Sequence, residues 1–389
     1  MKLRSIGFTW VPVLAVAMAA SALAGSQTPV AYRIRDLGVV GSSPGQPFQI
    51  TKDGFISGDV ASNGVARATL WYKRFKLTLD DHRLGGANSI AFSVNDSLQV
   101  VGEAETSTPD KNHEDFCGFR ASGLTAAGTC LPFLWQGGRM VTLPTLGGPN
   151  GMANQISDAG EIVGTAENST PDYGCPLPQV LEFKPVVWIH GRIQKLQTVA
   201  GDSDGIAFAV NRKGQIVGGS GLCSAFTITT LTNLFPLHAL LWEKGKVTDL
   251  GSLGGTGYRG GNLAIGVNDL GQVVGNSDLP GDTANHAFLW SKGKGMKDLG
   301  TLHGDAISAA FSINNSGRVV GTSLDANFSP RAFVWQNGVM TDLNTLIPTS
   351  STLYLLIACS INSEGQIVGF GVDTLTGETH GYIAIPKFE

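Results

Sequence analysis

Apolar and polar residues alternate along this chain in short runs broken by Gly, Asn or Asp, a period of two that predicts β-strands joined by tight turns. The clearest run is VNDLGQVVG at residues 267–275. Its relatives are ITKDGFISG ending at Gly58, VNDSLQVVG at Gly102, ISDAGEIVG at Gly164, VNRKGQIVG at Gly218, INNSGRVVG at Gly321 and INSEGQIVG at Gly369. Each predicts strand, turn, strand. An apolar residue closes the first strand, Asn or Asp with Gly supplies the positive φ angles of the turn, and a β-branched pair opens the second strand.

A second landmark follows each of the first six hairpins, a strand ending in Trp at Trp71, Trp135, Trp188, Trp242, Trp290 and Trp335. After a Gly-bearing turn comes a fourth strand, written VTDLG at Gly251, MKDLG at Gly300 and MTDLN at Asn344. The hairpin glycines are spaced 44, 62, 54, 57, 46 and 48 residues apart, and the variation falls in the link between the second and third strands. Four antiparallel strands recurring at about 40 to 50 residues indicate propeller blades; leucine-rich solenoid repeats are shorter, and helical repeats need a 3.6-residue period that is absent. The last unit stops at a third strand around Tyr382, while RIRDLG at residues 33–38 is a fourth strand with nothing before it. The expected fold is therefore all-β, a single seven-bladed propeller over residues 25–389, closed when the N-terminal strand completes the last blade.

The segments DLGSLGG, VNDLGQVVG and HAFLW resemble the HAF repeat, named for its His-Ala-Phe triplet and found in bacterial proteins expected to be extracellular. The resemblance covers nearly all of the chain after residue 24. It is strongest over residues 247–346 and weakest in the first unit, where Thr51 replaces Asn and Arg67 stands in the His slot. It implies a secreted, propeller-like repeat protein and brings no catalytic residues with it.

Composition narrows the class. Lys2 and Arg4 precede an apolar run over residues 10–22, and Ala22-Leu23-Ala24 before Gly25 has the form of a cleavage site, so residues 1–24 read as a secretory signal peptide. The run contains Pro12 and is shorter than the roughly 20 residues that span a bilayer. The expectation is a secreted or periplasmic protein with no membrane insertion after cleavage. A net charge of −4 and 15% charged residues argue against nucleic acid or an anionic membrane as partner.

Strand alternation puts the tight turns on one face of the ring and the long links, residues 103–131, 165–183, 219–237 and 276–285, on the other. Cys117 and Cys130 share one link, and Cys175 and Cys223 hold corresponding places in successive units. In an oxidising compartment the economical pairing is Cys117 with Cys130 and Cys175 with Cys223, leaving Cys359 on a first strand. A metal site is disfavoured, because no C-x-x-C or matched His spacing accompanies the thiols. The slot four residues before Trp is cationic in Arg67, Lys184, His238, His286 and Arg331, with His380 equivalent in the last unit. As a ring these side chains would meet an anionic ligand; as a blade-by-blade device each would pair with its own Asp or cap a carbonyl. The repeated Ser-Thr-Pro-Asp segments at residues 107–110 and 169–172 read as turns rather than calcium loops.

No H-E-x-x-H occurs, the Leu-Gly-Gly segments at residues 253–255 and 146–148 are not phosphate loops because no Lys-Ser/Thr or helix follows them, and no cofactor is expected. The sequence thus points to a non-catalytic recognition or scaffold module, with a glycan or envelope component as the class of ligand. Two other classes stay open, an extracellular enzyme acting on polysaccharide and a self-associating envelope or matrix protein.

Overall fold

The computed structural model describes residues 30–41, 47–79, 84–223, 237–257 and 261–387. The signal peptide read at residues 1–24 and most of the third long link, residues 224–236, lie outside them. Seven four-stranded sheets follow one another around a ring, six of them meanders in chain order. Blade 1 runs Pro47–Ile50, Phe55–Ser62, Val65–Tyr72 and Phe75–Thr78 from inner to outer strand. Blade 5 runs Leu263–Val267, Val273–Asp278, Asn285–Ser291 and Gly295–Gly300. The inner strands of blades 2, 3, 4 and 6 begin at Gly85, Gly147, Asp204 and Ile307. Blade 7 is made of Leu353–Ile361, Ile367–Asp373 and Thr379–Pro386, and its outer strand is Tyr32–Val39 from the other end of the chain. That strand pairs antiparallel, Tyr32 opposite Pro386 and Val39 opposite His380. The closure expected from the sequence is the observed one, and inner strands of successive blades touch around the whole ring, blade 7 to blade 1 included.

The hairpin glycine has a steric cause. Every inner strand carries a bulge beside its turn, for example between Ala264 and Gly266 and between Ala310 and Ser312. The bulge turns a carbonyl toward the neighbouring strand. A Cβ at Gly275 would run into the Leu263 carbonyl oxygen, and one at Gly321 into that of Ala309.

The Trp slot fills the space between blades. Trp188 is fully buried against Val101 and Leu143 of the preceding blade, and its Nε1 donates to the Pro144 carbonyl at 2.8 Å. Trp242 likewise packs on Val163 and Val187 and donates to the Gln197 carbonyl at 2.6 Å. Trp135 and Trp290 are only partly buried in their clusters.

The turn asparagines work differently from the expectation. Asn95, Asn211, Asn268, Asn314 and Asn362 are not at positive φ; Gly214, Gly271, Gly317 and Gly365 take that conformation, and Leu98 takes it where blade 2 lacks the Gly. The asparagines act through their amides. In each, Oδ1 accepts the backbone N–H four residues on, closing the turn, while Nδ2 donates to the carbonyl of the corresponding residue in the next blade. The steps are Asn95 to Ser157 at 3.0 Å, Asn211 to Asn268 at 2.8 Å, Asn268 to Asn314 at 3.1 Å, Asn314 to Asn362 at 3.1 Å and Asn362 to Thr51 at 3.0 Å. Thr51 and Ser157 cap their own turns at Phe55 and Glu161, but their side chains are too short to reach the next blade.

Candidate functional site

The opposite face carries the long links. Blade 1 contributes only an Asn63-Gly64 turn, both residues at positive φ. In blade 2 the link leaves the ring and lies on the link of blade 3. Glu114 Oε1 accepts the backbone N–H groups of Val180 at 2.7 Å and Leu181 at 2.9 Å. Two disulfides brace this region, Cys117–Cys130 and Cys175–Cys223, as the spacing indicated. Cys359 is unpaired, and burial pushes its thiol up to about 12.

Under these links lies a buried polar cluster. Asp110, Glu114 and Glu167 share two amides. Asn150 Nδ2 donates to Asp110 at 3.1 Å and to Glu114 at 3.4 Å, and its backbone N–H donates to Glu167 at 3.0 Å. Gln179 Nε2 donates to Glu167 at 2.8 Å and to Glu114 at 3.2 Å. Burial first, and Glu114 second, raise Glu167 from 4.5 to about 8, so it is largely protonated at neutral pH. In the equivalent place of blade 2, burial also opposes the charge of Glu105. There, hydrogen bonds from Ala127, Gly128, Asn88 and Ala87 outweigh it and hold the carboxyl below its ordinary range. Glu103 lies next to the first disulfide, and burial, then Asp59 and Asp115, push it well above the ordinary range.

Polar residues opening the inner strands join blades on this side. Asn88, Asn150, Asp204 and Ser308 accept N–H groups of Ala66, Cys130, Phe183 and Ala287 from the blade before. Sequence reasoning missed these residues and the acid cluster. A signal existed, since a polar residue stands 13 or 14 positions before the hairpin Gly in these units, and an acid stands three after it at Glu105, Glu167 and Asp278.

The cationic slot is not brought together; its members sit one to a blade on the third strands of blades 1 and 3 to 7, with Leu131 in that place in blade 2. His286 Nδ1 meets Asp298 at 3.0 Å and His380 Nδ1 meets Asp36 at 2.9 Å. Arg331 bridges Asp305 at 2.7 Å and Asp342 at 3.2 Å. Asp36, Asp298 and Asp342 are the Asp of the DLG-type strand, held by the N–H two residues on, which explains why the triplet and that strand recur together. His238 pairs instead with Asp202 of the crossover at 2.9 Å. Lys184 is buried, 2.9 Å from Glu182, and donates to the Ser203 carbonyl. Arg67 lies on the third strand of blade 1, part-buried and engaged. Apolar residues, by contrast, stand out on this face: Tyr173 is 98% exposed, Leu177 84%, Phe328 67% and Leu375 79%.

No family model matches the chain, and no curated protein matches it. Solved structures similar in shape are propellers. The β-propeller domain of the Trilobed protease from Pyrococcus furiosus aligns at 8% identity and a TM-score of 0.48, covering 91% of this chain and 95% of that one. TolB from Acinetobacter baumannii aligns at 11% and 0.42, covering 90% and 87%. Trypanosoma rangeli sialidase aligns at 10% and 0.39, with 91% of this chain spanning 55% of that one. Likenesses this distant carry no argument about chemistry.

Proposed function

We propose that this chain is an extracytoplasmic recognition module of the HAF-repeat kind, with its ligand contacts on the long-link face. One observation carries the reading. The blade 3 link presents Tyr173 and Leu177 to solvent on either side of Cys175, whose disulfide to Cys223 ties that link to blade 4. Exposed aromatic and aliphatic side chains on immobilised loops bind at little cost in ordering entropy. Phe328 and Leu375 extend the exposed apolar positions to blades 6 and 7. Aromatic faces of this kind suit the apolar faces of sugar rings, so the proposed ligand is a glycan of the cell envelope or its surroundings. The disulfides support an oxidising compartment, and among the described residues no helix is long and apolar enough to cross a membrane.

The test is a binding screen of the mature chain against glycans and envelope fractions, with turnover assayed on each hit. Binding lost in Tyr173→Ala or Phe328→Ala with the fold intact supports the reading. Binding indifferent to both substitutions contradicts it, and turnover of a bound glycan would replace it with the enzyme reading.

A further inference from the structure

Glu103 is the least compensated carboxyl near the long links. It is 2% exposed, and its Oε2 has no hydrogen-bond partner. Burying such a group unpaired is costly, so what lies beside it matters. A carboxylate oxygen of Glu103 and the sulfurs of Cys117 and Cys130 all lie within 4.8 Å of one another. A cavity of about 10 Å³, room for roughly one water, is lined by Cys117 and Cys130 together with Glu114, Asp115 and Asn150, while Glu103 lies outside its lining. With the disulfide closed, the two sulfurs have little donor capacity. Opened, they become two thiols beside a carboxyl group, three donors that a cation can deprotonate.

We propose that the reduced form of this site binds a thiophilic divalent cation of the zinc class through Cys117, Cys130 and Glu103, so that the cation takes over the bracing of the blade 2 link from the disulfide. The donor set is two sulfurs and one oxygen, which suits a four-coordinate ion with sulfur at about 2.3 Å and oxygen at about 2.0 Å. The reductant is a dithiol: it gives two electrons and two protons to the S–S bond, yielding two thiols here and a disulfide on the reductant. Cation binding then displaces the thiol protons and the Glu103 proton to solvent. Asp172, Cys175 and Cys223 form a similar group. There the carboxylate is part-exposed and already accepts the Gly174 N–H at 2.7 Å, so the unpaired donor is missing.

The experiment uses the mature chain carrying Cys175→Ser and Cys223→Ser, which leaves Cys117 and Cys130 as the only disulfide pair. It is reduced with a phosphine, freed of reductant, and titrated with Cd²⁺ as a spectroscopic stand-in and with Zn²⁺ against a chromophoric chelator. The expected result is a thiolate-to-metal absorption band saturating at one equivalent, absent from the oxidised protein, with affinity at least about tenfold weaker in Glu103→Gln. A reduced chain of native circular dichroism that binds no metal overturns the proposal, as does equal affinity in Glu103→Gln. If reduction unfolds the chain, it is refolded with Zn²⁺ or with chelator. Recovery only with Zn²⁺ supports the site, and any other result overturns it.

Discussion

On the turn face one residue type does one job in five blades, each Asn capping its own turn and reaching the next blade's carbonyl. On the link face the corresponding joints use Asn, Asp or Ser, and the links above them differ in length and sequence. The contrast follows from what each face must do. Turns at the end of inner strands sit at a similar distance from their neighbours around the ring, so a single side-chain length serves each of the five steps that start from an Asn. Links that stand above the ring have no such constraint, and their residues are fitted one to another, as Glu114, Asn150, Gln179 and Glu167 are.

The ring itself should be the costliest to disturb. Trp188→Ala is expected to lose about 3–5 kcal/mol in denaturant titration, since the side chain is fully buried between two blades and its indole N–H is paired. The partly buried Trp290 should lose less on the same change. Equal losses would mean that burial between blades is not what the slot contributes. On the turn face, Asn268→Ala removes both the cap and the tie to Asn314 and is expected to cost about 1–3 kcal/mol. Asn268→Ser, which copies Ser157, should keep a cap, lose the tie and fall between the two. If Ser costs as much as Ala, the caps contribute little.

The link face should be set apart by its pH response. Glu167 has a folded value of about 8 against 4.5 ordinarily, so its stabilising contribution is complete below about pH 4.5 and is lost as pH rises toward 8. Unfolding followed from pH 4 to 9 should show this decline in the native chain and a flatter profile in Glu167→Gln. Identical slopes would show that the carboxyl does not titrate in that window. The smallest effect is expected at His286→Gln, where the partner Asp298 is well exposed; less than about 1 kcal/mol should be lost. A loss of several kcal/mol would make the His–Asp pair a structural peg of the third strand.

Much of this architecture was legible because a repeat states its constraint many times. The Trp slot, the hairpin Gly and the split last blade all recur or complement one another, and each corresponds to a local steric requirement that survives any change in the loops. The function of the turn Asn was misread for a related reason. A single hairpin gives Asn a turn role, and only the adjacent blade reveals the carbonyl that its amide reaches. The cationic slot was visible as a pattern, while its Asp partner, 12 residues on for His286 but 344 away for His380, becomes plain only once the strands are paired.

The sequence by itself determined the number of blades, the order of strands within them and the closure by residues 33–38, because these rest on periodicity and turn chemistry along the chain; for the cysteines it offered an economical pairing, which the packing of the links brings about. Tertiary structure alone decided which charges are neutralised and which are left. Glu114 and Gln179 come together across 65 residues, and Glu103 lies beside a disulfide with no partner for one oxygen. Those outcomes depend on how non-repeating links pack against each other, where burial and hydrogen-bond geometry, rather than residue type, set the energy of a charge.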